Sequence, residues 1–194
     1  MNRKGSAAIV ILIVLIILIV VGGAWYYKIY QSTLTQPVAS TMIPEQTQFA
    51  IVGEGYDVIH PIAIPNQVLG TLKNDGDVMN CVSNGSGDAF SADWFEASEV
   101  ALHDQNQADL VVVAQNGCLL GANIAPFWIF KNNGHAYDLV LTVHAHDLEI
   151  ASATTMGYRD VVTLSATAIQ VISSTYQFDG VEYKLATTTV EKMD

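Results

Sequence analysis

The hydrophobic rhythm of the chain changes in stages. From Ala7 to Ala24 an Ile/Val/Leu-rich run carries no charged or strongly polar side chain. At 1.5 Å of rise per residue such a helix approaches the ~30 Å of a bilayer's hydrocarbon core. Trp25, Tyr26 and Tyr27 follow at once, and rings of this kind suit the headgroup level. The pattern predicts a cytoplasmic stub over 1–6 and a single transmembrane anchor over 7–27. Two other readings fit parts of it. Gly22-Gly23-Ala24 would serve as a signal-peptide cleavage site, although the run exceeds the ~7–15 residues of a usual h-region. Arg3-Lys4-Gly5-Ser6 resembles the processing site of type IV prepilins, but Val10 stands where those families carry a Glu.

Periodicity then disappears. Gln31 to Gln48 is polar, with one charge and two prolines, and reads as part of a spacer over 28–48. The folded domain is expected over 49–194. From Phe49 to Ile64 the segments FAIV and DVIHPIAI are short strands or extended lead-in, and Pro61 argues against a central strand. Helical spacing appears at Val68, Leu69 and Leu72, with Asn66 as a candidate cap, and again at Val78, Met79 and Val82 after Asp75-Gly76. Two short helices follow, Cys81 on the second, and then a loop over Ser83 to Asp88.

Beyond Ser91 the chain reads as strand. DLVVVA, PFWIF, DLVLTV, LEIASA, DVVTLSATAIQVIS and TYQF are rich in β-branched and aromatic residues, with turn chemistry at Asn133-Gly134 and Asp179-Gly180. WIFKNNGHAYDLV and YQFDGVEYKLA share the order aromatic, x, Phe, Gly-containing turn, Tyr, x, Leu. Each is expected to be a hairpin, with turns of unequal length, inside one meandering sheet. The predicted class is α+β, mainly antiparallel β.

Charge separates the two parts. Arg3, Lys4 and Lys28 are the only ionisable side chains before Glu45, and the remainder holds five Lys/Arg against nineteen Asp/Glu, a net of −14. Basic residues ahead of the apolar run favour a cytoplasmic N-terminus and an extracytoplasmic domain. Between Lys73 and Lys131 there are eight acids and no base. Such a surface repels phosphate backbones, so nucleic acid is not an expected partner. Outside the cell, Cys81 and Cys118 are free to form a disulfide; the alternative is two buried thiols.

Two stretches suggest chemistry. VALHDQNQADLVVV has the length and the closing Asp-Leu of a calcium-binding strand loop of the FG-GAP type. Anchored at Asp109-Leu110, its ligand positions fall on Ala101, His103, Gln105 and Asp109, with Asp104 one step out of phase. A hard cation wants six to eight oxygens. The loop therefore reads as a degenerate shell, Asp109 bonding backbone amides while Leu110 to Val113 enter the core. In VHAHDLE, His144 and His146 share one strand face, Asp147 pointing away. His-x-His is a familiar start to a zinc site, with His103 the best remaining third ligand. Gly-x-Ser-x-Gly, Walker and Gly-x-Gly-x-x-Gly motifs are missing, and no cofactor is expected.

The segments IPNQVLGTLKNDGDVMNCV, ADWFEASEVAL, ADLVVVAQNGCLLGANIAPFWIFKNNGHAYDLVL, MGYRDVVTLSATA and TYQFDGVEYK resemble a group of bacterial extracytoplasmic proteins with no assigned reaction. The likeness covers about 120 residues, roughly Ile64 to Ala186. Matched positions are Cys118, Gly121, Asn123, Pro126, Phe127 and Trp128, then Gly157, Tyr158, Asp160, Phe178, Asp179, Gly180 and Tyr183. The resemblance implies glycines at positive φ, buried aromatics, and Asp160 and Asp179 as turn acceptors. Together these features lead to the expectation of a single-pass protein of the bacterial cell membrane. Its extracytoplasmic domain would bind an envelope protein or polymer. The rival expectations are a metal-dependent hydrolase using His144, His146 and His103, and a pilin-like minor subunit.

Overall fold

The structure is a computed structural model that describes residues 45–51, 57–84, 89–103 and 107–193. The predicted anchor, most of the spacer, and Asp104 and Gln105 lie outside the described residues. Among the described residues no helix is long and apolar enough to cross a membrane.

The domain is built from β1 (Gln48–Ala50), α1 (Asn66–Lys73), α2 (Gly76–Asn84), a 3-10 turn (Ala92–Trp94), β2 (Phe95–Val100), β3 (Asp109–Ala114), β4 (Ala125–Asn132), β5 (Tyr137–Ala145), β6 (Asp147–Thr155), β7 (Tyr158–Ala166), β8 (Gln170–Phe178) and β9 (Tyr183–Lys192). All strand pairs are antiparallel. They form two sheets rather than the single meander expected: β2-β3-β4-β5 (sheet B) and β1-β6-β7-β8-β9 (sheet A). The two similar hairpins fall in different sheets, because the chain passes from β5 to β6 through His146 alone.

β3 explains the layering. All of its residues are buried. Val111 and Val113 point into a core shared with Phe49, Leu148, Ile150 and Val161 of sheet A. Leu110, Val112 and Ala114 point into a second core with Val68 and Leu72 of α1, Val78 and Cys81 of α2, and Trp94. An unbroken apolar run is the pattern of a strand covered on both faces, since alternate side chains leave opposite sides of the sheet. β4 divides in the same way, Phe127 and Ile129 to one core and Trp128 and Phe130 to the other. The order of layers is therefore helices, sheet B, sheet A.

Local chemistry fixes the helices. α1 begins after Pro65, with no side-chain cap; Asn66, read as the cap, is its first residue. Pro65 fits because the first turn of a helix has no intrahelical use for its amides. α2 is capped by Asp75, whose Oδ1 accepts from the amides of Asp77 (2.9 Å) and Val78 (3.4 Å). The other oxygen, Oδ2, accepts from Trp128 Nε1 at 3.0 Å, which ties the cap to sheet B. Cys81 and Cys118 are joined in a disulfide with Cα atoms 5.8 Å apart, clamping α2 to the β3–β4 connection.

The fold begins before Phe49. Gln46, read as spacer, is buried; it donates to the carbonyls of Gln48 and Asp57 and accepts from the amide of Ile59.

Candidate functional site

Four connections converge at one end of the two sheets, through their described residues 101–103 with 107–108, 133–136, 156–157 and 179–182. Their proximity is visible in single contacts. His103 bridges to Tyr158, a Cβ on Gly134 would lie 2.9 Å from Gln107 Nε2, and one on Gly180 would lie 3.7 Å from Met156 Cε.

Beneath this end sits Asp109, fully buried at the start of β3. Its Oδ2 accepts from the amide of Leu102 (3.1 Å) and lies 3.0 Å from His103 Nδ1, and its Oδ1 accepts from the amide of Asn132 (2.8 Å). Burial pushes its carboxyl above the usual range, against the opposing pull of the Asn132 amide and His103. The carboxylate thus holds Leu102 and, at the end of β4, Asn132 through their backbone amides.

His103 stacks on Tyr158 (centroids 4.7 Å, 21° between planes), Tyr158 lies against Phe178 (4.1 Å), and Phe178 meets Tyr183 edge-on (5.4 Å). Lys131 Nζ lies 5.8 Å from the Tyr158 centroid and 5.3 Å from that of Phe178, within cation–π range. Tyr183 donates its hydroxyl to the Arg159 carbonyl at 2.7 Å, and burial raises its pKa, with smaller contributions from Asp109 and Asp160. The Tyr158 hydroxyl is raised by the same burial and by Asp109.

Arg159 holds the adjoining strand ends. Its amide donates to Leu102 O at 2.7 Å. Its guanidinium donates to Ala151 O and Ile150 O (2.8 Å each), to Ala101 O (3.3 Å) and to Glu45 Oε1 (2.9 Å). Ile150 and Ala151 lie where the β6–β7 register shifts, so the guanidinium satisfies carbonyls the ladder leaves open. The sequence reading missed this residue; the available signal was that Arg159 is the only arginine after Arg3. Asp160, expected as a turn acceptor, lies instead within β7 and accepts from the Gln177 side chain of β8 (Nε2 to Oδ2, 3.1 Å); among the described residues no group bonds its Oδ1.

The remaining resemblance positions serve turns and packing. Met156 and Gly157 both have positive φ, 52° and 81°, the conformation of a two-residue I′ hairpin turn. Gly180 sits at φ 104°, and Asp179 Oδ1 accepts from the amides of Val181 and Glu182 (2.9 Å each). Gly121 donates to Ile124 O at 2.7 Å, and a Cβ there would meet that oxygen at 3.1 Å. Pro126, Phe127 and Trp128 are buried on β4.

The three histidines of the metal reading sit with three different carboxylates. His144 Nε2 lies 2.9 Å from Asp77 Oδ2, His146 Nδ1 lies 3.1 Å from Asp147 Oδ1, and His103 is held by Asp109. His146 is at the bend after β5 rather than on a strand with His144, and Asp147 turns toward it rather than away. Among the described residues no three His, Cys, Asp or Glu side chains are grouped to hold a metal ion. A shallow groove of about 620 Å³ lies elsewhere, lined by Gln67, Thr71, Asn74, Asp75 and Leu139 with Gly70 and Gly76. Comparisons with models of protein families, with curated proteins and with solved structures find no match.

Proposed function

We propose that the chain is a membrane-tethered, extracytoplasmic binding module of the bacterial envelope, and that the four-loop end is its binding surface. The observation carrying this reading is the convergence of residues 101–103 with 107–108, 133–136, 156–157 and 179–182 over one buried support. Loops held by a rigid scaffold are where binding residues concentrate. The side chains beneath them, Asp109, His103, Tyr183 and Arg159, are spent on one another and on backbone groups, which suits a support better than a reacting centre. Two large apolar side chains of these loops, Met156 and Val181, are 67% and 75% exposed. The disulfide accords with an oxidising compartment, and the apolar run ahead of the domain accords with an anchor.

The full-length chain, expressed in a bacterial host, should sediment with membranes, and its domain should be digested by protease added from the extracytoplasmic side. Recovery as a cytosolic species with both thiols open to alkylation overturns the location. Capture of an envelope component by the wild-type chain, lost in a Met156→Ser/Val181→Ser variant of unchanged melting temperature, supports the surface. Capture unaffected by that variant moves the binding site elsewhere.

A further inference from the structure

The chain enters the domain at the loop end. Glu45 Oε1 accepts from the amide of Ala101 (2.7 Å), the first residue of the β2–β3 connection, and from Arg159 Nη1 (2.9 Å), just past the 156–157 turn. Thr47 O then accepts from the amide of Ile150, and β1 runs away from that end, Gln48 opposite Glu149 and Ala50 opposite Asp147. Positions 28–44 alone lie between Glu45 and the apolar run with its three aromatic residues, a reach of roughly 60 Å at full extension. The other end of sheet A, with the 167–169 connection, lies about 30 Å away, the length of the nine-residue β7. Apolar side chains gather at the entry end. Four large hydrophobics among the described residues are at least 67% exposed: Ile59, Met156, Ile169 and Val181. Met156 and Val181 belong to neighbouring turns, since a Cβ on Gly180 would come within 3.7 Å of Met156 Cε. Ile59 stands near the entry, its amide donating to Gln46 Oε1 at 2.9 Å. Ile169 alone sits at the far end. The formally charged members of the described loop residues are Asp179 and Glu182, the latter paired with Lys184; Asp104 lies outside the described residues.

We infer that the partner of this end is the lipid surface of the bilayer that carries the anchor, Met156 and Val181 entering the interface while the loop backbones stay at headgroup level. The inference rests on the proposed anchor and on the loop end as binding surface, and it names the partner there. Apolar side chains leaving water for lipid supply the attraction. Two such side chains bind weakly from free solution. The tether makes their contact intramolecular, with an effective concentration on the order of millimolar for a short linker. An entry point at this end gives that advantage to the membrane itself and withholds it from a partner that diffuses freely. The headgroup chemistry follows from charge. Nineteen Asp/Glu against five Lys/Arg beyond position 44 set the domain against anionic headgroups, so the surface it fits is zwitterionic.

The test uses the full chain reconstituted into phosphatidylcholine vesicles. With the Cys81–Cys118 bridge intact, an introduced cysteine is the only free thiol. His135→Cys, in the 133–136 loop, and Ile169→Cys, at the far end, each carry a fluorophore, and quenching by nitroxide-labelled lipid is read. The label at 135 should be quenched and the label at 169 should not. In a Met156→Ser/Val181→Ser background of unchanged melting temperature, the ratio of docked to undocked domain should fall roughly tenfold, taking the quenching at 135 with it. Flotation with the vesicles but equal quenching at 135 and 169, or quenching at 135 unmoved by the two serines, overturns the inference and leaves the anchor standing. An envelope protein captured through the same two side chains, with no quenching at 135, keeps the loop end as a binding surface and overturns lipid as its partner. Failure to float with the vesicles overturns the anchor and this inference together.

Discussion

The hairpins β4–β5 and β8–β9 are near copies that live in opposite surroundings. In each, a pair closes a four-residue loop, Asn132 with Tyr137 and Phe178 with Tyr183. Asn133 Oδ1 accepts from the amides of His135 and Ala136 as Asp179 Oδ1 does from those of Val181 and Glu182. Gly134 and Gly180 follow at positive φ. The register slips at the same place, leaving Val140 and Ala186 as the extra residues, each three beyond its tyrosine. The turns expected to differ in length are one turn; the sequence difference is that Phe130 precedes the loop by two more residues than Phe178 does. Burial does not follow the likeness. The first six residues of β4 are buried, while β8 is half-buried up to Phe178 and β9 exposed after Tyr183. Local chemistry thus sets turn, register and bulge, and the covering layers set how much each hairpin contributes to stability.

The largest expected contrast lies at the equivalent positions Phe130, opposite Leu139, and Tyr176, opposite Leu185. Phe130 is fully buried, so Phe130→Ala should cost about 3–5 kcal/mol in denaturant unfolding. Tyr176→Ala, at a half-buried site, should cost roughly 1–2 kcal/mol. Equal losses would break the comparison. A smaller contrast separates the loop glycines. Alanine at either position takes on a left-handed backbone worth about 1–2 kcal/mol. Gly134→Ala should lose slightly more than Gly180→Ala, because its Cβ must displace Gln107 Nε2. In a Gln107→Ala background the two should become equal.

The finest contrast is in pH. The amides of Glu182 and then Val181 hold the Asp179 carboxyl below its usual range. A depressed carboxyl adds stability above its unfolded value of 3.8 and loses it as pH falls through the folded value. Asn133 has no such titration. Between about pH 5 and pH 2, Asp179→Asn should therefore flatten the wild-type decline, and Asn133→Asp should steepen it, by thermal melting across that range. Asp109 works in the opposite sense: raised by burial, it adds stability below 3.8 that is lost as pH rises through its folded value. It stays common to all these variants.

Much of this was legible before any coordinates. The DLVVVA run carried a buried strand, Val68 with Leu72 carried a helix, and the paired aromatic motifs carried their hairpins. The division into two sheets was not legible, because His146, the single residue between them, has no turn signature. At the loop end, the sequence pointed to Asp109 as an acceptor of loop amides. It gave no sign that His103 and Tyr158 would stack onto Phe178 of the β8–β9 hairpin, since those two rings come from other segments of the chain and reach it only when the fold closes. The role of Arg159 was hidden for the same reason: the five acceptors of its donors are the main-chain carbonyls of Leu102, Ala101, Ile150 and Ala151 and the side chain of Glu45, the last 114 positions away along the chain.

The Cys81–Cys118 bridge spans 37 positions, and that span includes the β2–β3 hairpin and the polar Ser83 to Asp88 stretch. A protease that nicks the backbone anywhere inside it releases nothing: both fragments travel together until a reductant parts them. Degradation of this domain is thereby coupled to the redox state of its surroundings, and damage there shows on a gel only after thiol is added.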